Sequence, residues 1–246
     1  MMTNRAAEPR NKNRTSGFSL IELMIVLVVV LVITGAIFQV INLATQRSST
    51  EQTKVDMFQE AREFMDQMTR DLRQAGYPNP RNMDPTVFTQ NPYMNDHHAA
   101  AGLVKVDTGD LWFEGDVDGS GTVSVVQYHL DNVGTNCPCL KRSQLPKIDA
   151  SPLAQSTAQY QVEVQGVQNT SIFAAFNSGT AVGLPVTIAT STGTVVAGID
   201  TVQATLTLQA ANIDLQTKQK PVATLVTTVR MNNCSQAALG FQTSCQ

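Results

Sequence analysis

The sequence predicts an α+β fold in which a long N-terminal α-helix packs on an antiparallel β-sheet. Three observations predict it. Residues 23–38 form an apolar run broken only by Thr34 and Gly35. Apolar residues then recur at spacings of three and four, at Val55, Phe58, Ala61, Met65, Met68 and Leu72, which is one stripe along a helix. After Lys105 the chain becomes rich in Thr, Gln, Val, Ala and Gly, with period-two alternation in several segments. That period is the mark of strands with one face to bury.

Composition narrows the function. The chain has 246 residues, of which 15% are charged, and its formal net charge is −3. That length allows one good-sized domain or two small ones. Nothing is basic enough for nucleic acid to be the main partner, and none is expected. Charge is nevertheless concentrated at the start, where Arg5, Arg10, Lys12 and Arg14 face a single acid, Glu8.

A basic leader before an apolar run resembles a secretory signal. Here the run is long for such a signal, and no small-x-small cleavage site follows it. As a helix, the segment from Phe18 to Ile41 would span roughly 36 Å, enough to cross a bilayer core of about 30 Å. The positive-inside rule puts the leader in the cytoplasm. Everything after Ile41 would then lie outside, where Cys137, Cys139, Cys234 and Cys245 can form up to two disulfides.

Glu22 is the anomaly in this run, because a carboxylate in lipid is costly unless paired or protonated. A basic leader, then "GFSLIE" at residues 17–22, then a membrane-length apolar segment together resemble a type IV prepilin. In that family a prepilin peptidase cuts after the Gly and methylates the new N-terminal Phe. The resemblance makes Gly17 the last leader residue and Phe18 the methylated mature N-terminus; because a buried charge must be paired, Glu22 is expected to set register during filament assembly by reaching the Phe18 amine of a neighbour. It implies leader 1–17, membrane and filament-core helix 18–41, amphipathic second helical half 42–76, and a β-rich periplasmic or extracellular head over 77–246. It also implies a type IV pilin-like fold. Many pilins carry a Pro in mid-helix, where this chain has Gln39.

The helix should continue through the stripe to "AGYPNP", where Gly76 can take the left-handed conformation and Pro78 blocks continuation. Glu60, Arg62 and Glu63 mark a solvated face. A helix over residues 19–75 is about 85 Å long, more than a small core can bury. Its first half therefore belongs in a membrane or filament and its second half against a domain. Residues 79–102 hold few periodic apolars and read as a surface loop. "DLWFEG" and "TVSVVQYHL" flank "DVDGSG" as a hairpin. "QYQVEVQGV" presents Tyr160, Val162 and Val164 on one face, and "TVQATLTLQA" presents Val202, Ala204, Leu206 and Leu208. "PVATLVTTVRMN" is a further strand, after a turn at Lys218–Lys220. "NSGTAVG" and "STGTVVAG" read as connectors.

The segments "MDQMTRDLRQAGY", "GDVDGSGTVSVVQYHL" and "TTVRMNN" resemble PilW-type minor pilins, relatives of the J-type pseudopilins of type II secretion. The resemblance implies a structural subunit that helps initiate pilus assembly at or near the tip. It would be anchored in the inner membrane by a single pass and later displayed in the pilus on the cell surface. Its partners would be other major and minor pilins, the prepilin peptidase and the assembly platform of the inner membrane. The alternatives are a minor pseudopilin of a type II secretion system, or a pilus subunit whose head binds a surface, DNA or calcium.

Candidate ligands are few. Asp116, Asp118 and Ser120 fall at positions 1, 3 and 5 of a calcium-type loop, with Gly121 at 6 and Val123 at 8. The twelfth position is Gln127 where a bidentate Glu is usual, and the flanks read as strands. An Asp- and Gly-rich hairpin turn is the other reading. Apart from that possible calcium, no cofactor is expected. The cysteines allow three pairings, with Cys234–Cys245 favoured and Cys137–Cys139 left open. His97 and His98 with the "CPC" cysteines fit no common zinc spacing; the histidines read as loop surface. No Ser/His/Asp set, phosphate loop or carboxylate pair is indicated, so an enzyme is not expected.

Overall fold

The computed structural model describes residue 17 and residues 19–80, 83–134, 137–155, 158–189, 193–214 and 217–231. The chain divides into two compact units, Met1–Ser49 and Thr50–Gln246. Helix α1 runs over Leu20–Gln74, with no break at Gln39. It opens with the Ser19 carbonyl accepting from the amides of Glu22 (3.0 Å) and Leu23 (3.2 Å).

In the second unit, α1 buries Met57, Ala61, Phe64, Met65, Met68, Asp71 and Leu72. The stripe is therefore offset from the expected one. Val55 and Phe58 stay about half exposed, at 50% and 46%, and Met57 and Phe64 take their place. The spacing 57, 61, 64, 68, 71 keeps the 3.6-residue period without the extra residues. Fully burying side chains of the Leu, Met and Phe class contributes roughly 1.5–3 kcal/mol each. Glu60, Arg62 and Glu63 are exposed as expected.

The helix ends where predicted. Gly76 has φ of +81°, and its amide donates to the Glu114 carbonyl at 2.8 Å. Ala75 forms a bridge with Gly115. A Cβ on Gly115 would sit 2.4 Å from the Gln74 carbonyl oxygen, so only glycine lets the helix end approach this strand.

Among the described residues ten strands follow: β1 Leu103–Val106, β2 Asp110–Gly115, β3 Ser124–Asp131, β4 Cys139–Pro146, β5 Gln161–Gln165, β6 Phe173–Asn177, β7 Thr180–Val182, β8 Val186–Thr187, β9 Thr201–Gln209 and β10 Val222–Arg230. A short helix α2, Gly193–Ala197, lies between β8 and β9. The strands form two antiparallel sheets, where the sequence pointed to a sheet without dividing it. Their orders are β5-β4-β3-β2-β1-β8 and β10-β9-β6-β7. One core cluster joins α1 to both sheets, drawing for example on Met68, Phe113, Tyr128, Leu140, Phe173 and Leu206.

Strand β9 alternates as expected, with Val202, Ala204, Leu206 and Leu208 all buried. Strand β5 does not. Its pairing with β4 slips between Leu140↔Val164 and Lys141↔Val162. A one-residue bulge moves following side chains to the other face. Val164 is accordingly buried while Val162 is 45% exposed. "NSGTAVG" contains β7, and "STGTVVAG" contains α2; neither is a bare connector.

Candidate functional site

Two regions of the chain carry features that packing alone does not explain. The first is the start of α1. A Cβ on Gly17 would meet nothing within 4 Å, so nothing in the described fold demands glycine there. Phe18 lies outside the described residues. Glu22 sits in the first turn of α1, where an acid is favoured by the helix dipole. Its apolar neighbours are exposed, from 80% at Leu20 to 50% at Val29. Among the described residues, α1 is the one helix long and apolar enough to cross a membrane. Thr34 is accommodated because its hydroxyl donates to the Val30 carbonyl at 2.7 Å, which satisfies it within the helix.

The second is the polar framework of the second unit, which sequence reasoning missed. Asp71 is buried on the stripe of α1. Its Oδ2 accepts from the Tyr128 hydroxyl (2.8 Å) and Arg142 Nε (2.9 Å), and Arg142 Nη2 pairs with it at 2.7 Å. Its Oδ1 accepts from Gln67 Nε2 at 2.9 Å. Burial, with the Asp71 charge added, pushes the Tyr128 hydroxyl well above its ordinary pKa. The network ties α1 to β3 and β4. A signal was present in the sequence: Asp71 stands three residues after Met68, in phase with the apolar stripe. Beside the network, Glu60, Glu63, Phe64, Gln67, Arg142 and Glu163 line an open cleft of about 430 Å³.

The stretch read as a surface loop is a correction. Met94, Ala99, Ala100 and Ala101 are buried, and Met94 and Ala101 pack in a second cluster with Val104, Ile188, Trp112 and Leu153. Two buried acids hold the stretch. Glu114 pairs with Lys147 at 2.6 Å. Asp96 Oδ2 accepts from the Thr89 amide (2.6 Å), the Thr89 hydroxyl (3.1 Å) and the Gln90 amide (3.1 Å). Its Oδ1 accepts from the His98 amide (3.0 Å) and contacts His98 Nδ1 at 2.7 Å.

Burial works against the Asp96 charge, but the bonds from His98 and Thr89 outweigh it and hold its pKa well below the usual carboxylate range. A carboxyl depressed in the folded state stabilises above its unfolded pKa, and that stability is lost as pH falls through the folded one. Wild type should therefore lose stability below about pH 4 more steeply than Asp96→Asn does. Denaturant midpoints at pH 7, 4 and 3 check this, and parallel losses in both proteins would contradict it.

The other expected ligands are placed as follows. His97 Nδ1 contacts Asp149 Oδ1 at 2.8 Å, so both histidines are engaged by carboxylates. Asp96, His97 and His98 lie close enough together to share an ion, and the set does not include the two CPC cysteines. The Cys137 and Cys139 sulfurs lie at disulfide distance, with Cα atoms 4.4 Å apart. The expected Cys234–Cys245 pair lies outside the described residues.

Asp116, Asp118 and Ser120 come together in the β2–β3 loop. Gln127 does not join them. It lies in β3, accepting from the Tyr160 hydroxyl at 2.9 Å and donating to the Gln155 carbonyl at 3.4 Å. The strand takes over where a calcium-loop helix would begin.

Residues 12–38 match the prokaryotic N-terminal methylation motif. That match supports a type IV prepilin-like protein, a pilin-like or pseudopilin subunit that is a substrate of prepilin peptidase and assembles with other pilins. The motif and the apolar helix fit anchoring in the inner membrane. Neither a curated protein nor a solved structure matched the chain.

Proposed function

We propose that the chain is a structural minor pilin of PilW type that helps initiate assembly of a type IV pilus at or near its tip. The observation that carries this reading is Glu22, five residues after Gly17, in a helix whose apolar side chains are exposed. Such a surface is stable only in lipid or against other apolar helices. A subunit that moves from membrane to filament uses the same helix in both places. The PilW-like segments at residues 65–77, 115–130 and 227–233 favour the minor-pilin role. A minor pseudopilin shares the N-terminal motif, and gene neighbours encoding a pilus motor or a secretin-linked export machine separate the two.

The first test is the mature protein itself. Protein taken from sheared filaments should begin at Phe18 and carry one N-methyl group. Intact mass and N-terminal sequencing read both. An uncut chain, or one cut beyond the apolar run, would remove the prepilin assignment.

A further inference from the structure

We propose that the β2–β3 loop, residues 116–121, is a calcium site whose ligands include Asp116, Asp118 and Ser120. The inference is independent of the pilus reading. It rests first on an unpaired oxygen. Asp116 is only 6% exposed. Its Oδ2 accepts from the Gly121 amide at 3.0 Å, but its Oδ1 is buried with no hydrogen-bond partner among the described residues. A buried carboxylate oxygen without a partner is strongly disfavoured. A hard cation is the partner that best removes this cost.

The second observation is the loop around it. Asp118 Oδ1 accepts from the Ser120 amide at 3.0 Å, and Ser120 Oγ accepts from the Thr122 amide at 3.2 Å. Each of these side chains thus spends only part of its acceptor capacity on the loop. The Asp116 and Asp118 carboxyls are near enough to interact directly. Gly119 and Gly121 have φ of +70° and +82°, while a Cβ on either would meet nothing within 4 Å. These glycines are required by backbone conformation and not by space. The result is oxygen donors at positions 1, 3 and 5 and a left-handed glycine at 6, the first half of a calcium loop.

The second half is absent, because Gln127 is committed within β3. Three side chains cannot fill the six to eight oxygen positions that calcium takes, so water and backbone carbonyls must supply the rest. The affinity should therefore fall in the weak range of extracellular calcium modules, about 10⁻⁴–10⁻³ M. The site also has a structural position. The Asp116 amide donates to the Tyr77 carbonyl at 2.8 Å, and Gly115 bridges Ala75. Bound calcium would fasten the hairpin where α1 ends.

The test uses the full chain in detergent micelles, with calcium chloride as the only added ligand. At about 5 mM calcium, several-fold above the expected Kd, thermal unfolding should move up by about 3 °C or more relative to EDTA. Asp118→Ala should abolish the shift while leaving the melting temperature in EDTA near wild type, because Asp118 is exposed. Asp116→Asn should abolish it too, and calorimetric titration should show one ion per chain lost in both variants. If Asp116→Asn does not fold, Asp118→Ala carries the test. A wild-type shift below about 1 °C, a shift retained in the variants, or an equal response to magnesium would each overturn the proposal.

Discussion

Replacing Lys147 with alanine is expected to lower the stability of the second unit by about 3–5 kcal/mol, because it leaves a buried carboxylate without its cation. The Lys147 and Glu114 side chains are 1% and 0% exposed. Lys147 Nζ donates to Glu114 Oε2 (2.6 Å), the Met94 carbonyl (2.6 Å) and the Ala99 carbonyl (2.7 Å). Glu114 Oε2 also accepts from the Ala101 amide at 2.8 Å. One ammonium thus ties the Met94 and Ala99 backbone to β2.

Burial already pushes the Glu114 carboxyl up, against the pull of Lys147. Removing Lys147 should raise it further. A carboxyl whose folded pKa is raised costs stability as pH climbs above its unfolded value and costs none below it. The loss in Lys147→Ala should therefore be larger at pH 8 than at pH 4.5. Replacing both partners, as in Lys147→Met with Glu114→Gln, should recover much of the loss, since breaking a buried pair is worse than replacing it. Urea unfolding followed through Trp112, the single tryptophan, reads the change, because Trp112 packs in the same small cluster as Met94 and Ala101. A loss below about 1 kcal/mol would show that the pair is not what holds the stretch, since exposed pairs contribute only that much.

The contrast between α1 and this stretch explains what the sequence could reveal. The span of α1, its end at Gly76 and the alternation of β9 are local patterns, written in residues three, four or two apart. They were legible. The phase of the stripe is ambiguous in the sequence because Val55 and Phe58 are as apolar as Met57 and Phe64, and only the sheets decide which set is covered. Of the expected face around β5 only Val164 is buried, while Tyr160 and Val162 are exposed, because a bulge leaves no mark on composition. The burial of Met94, Asp96, Ala99, Ala100 and Ala101 is not legible in the sequence. It depends on Lys147, 53 and 48 residues away from the carbonyls it binds, and on Asp96 folding neighbouring amides around itself. A polar residue committed to a distant partner reads the same as one facing water. Asp71 is the intermediate case: its phase on the stripe signalled burial, but Tyr128 and Arg142 could not be identified from spacing. Likewise the Asp116 loop was visible as a motif, whereas the unpaired Oδ1 that distinguishes a cation site from a plain turn required coordinates.

Glu22→Ala should leave cleavage, membrane insertion and the fold of the second unit intact, and yet impair incorporation into pili. On the proposed reading, cleavage after Gly17 frees the Phe18 amine, which is positively charged near neutral pH. Glu22 then stands four residues along the chain from that amine. In the membrane the two can meet, or sit near the headgroups, and the cost of the acid falls. In a filament of packed apolar helices, Glu22 of one subunit would reach the Phe18 amine of a neighbour. Apolar side chains along α1 are nearly interchangeable from turn to turn, so hydrophobic packing alone discriminates weakly between axial registers. A charge left unpaired among them costs roughly 3–5 kcal/mol, enough to bias the register by more than a hundredfold at 1.4 kcal/mol per tenfold. On that reading the acid would act on assembly and not on folding, and it is exposed in the isolated chain. The measurement is the amount of Glu22→Ala protein in sheared filaments relative to the membrane pool, against wild type. A subunit at the extreme tip lacks one neighbour, so its deficit should be smaller than that of the same substitution in a major pilin. Incorporation equal to wild type would show that the charge pair does not select the register.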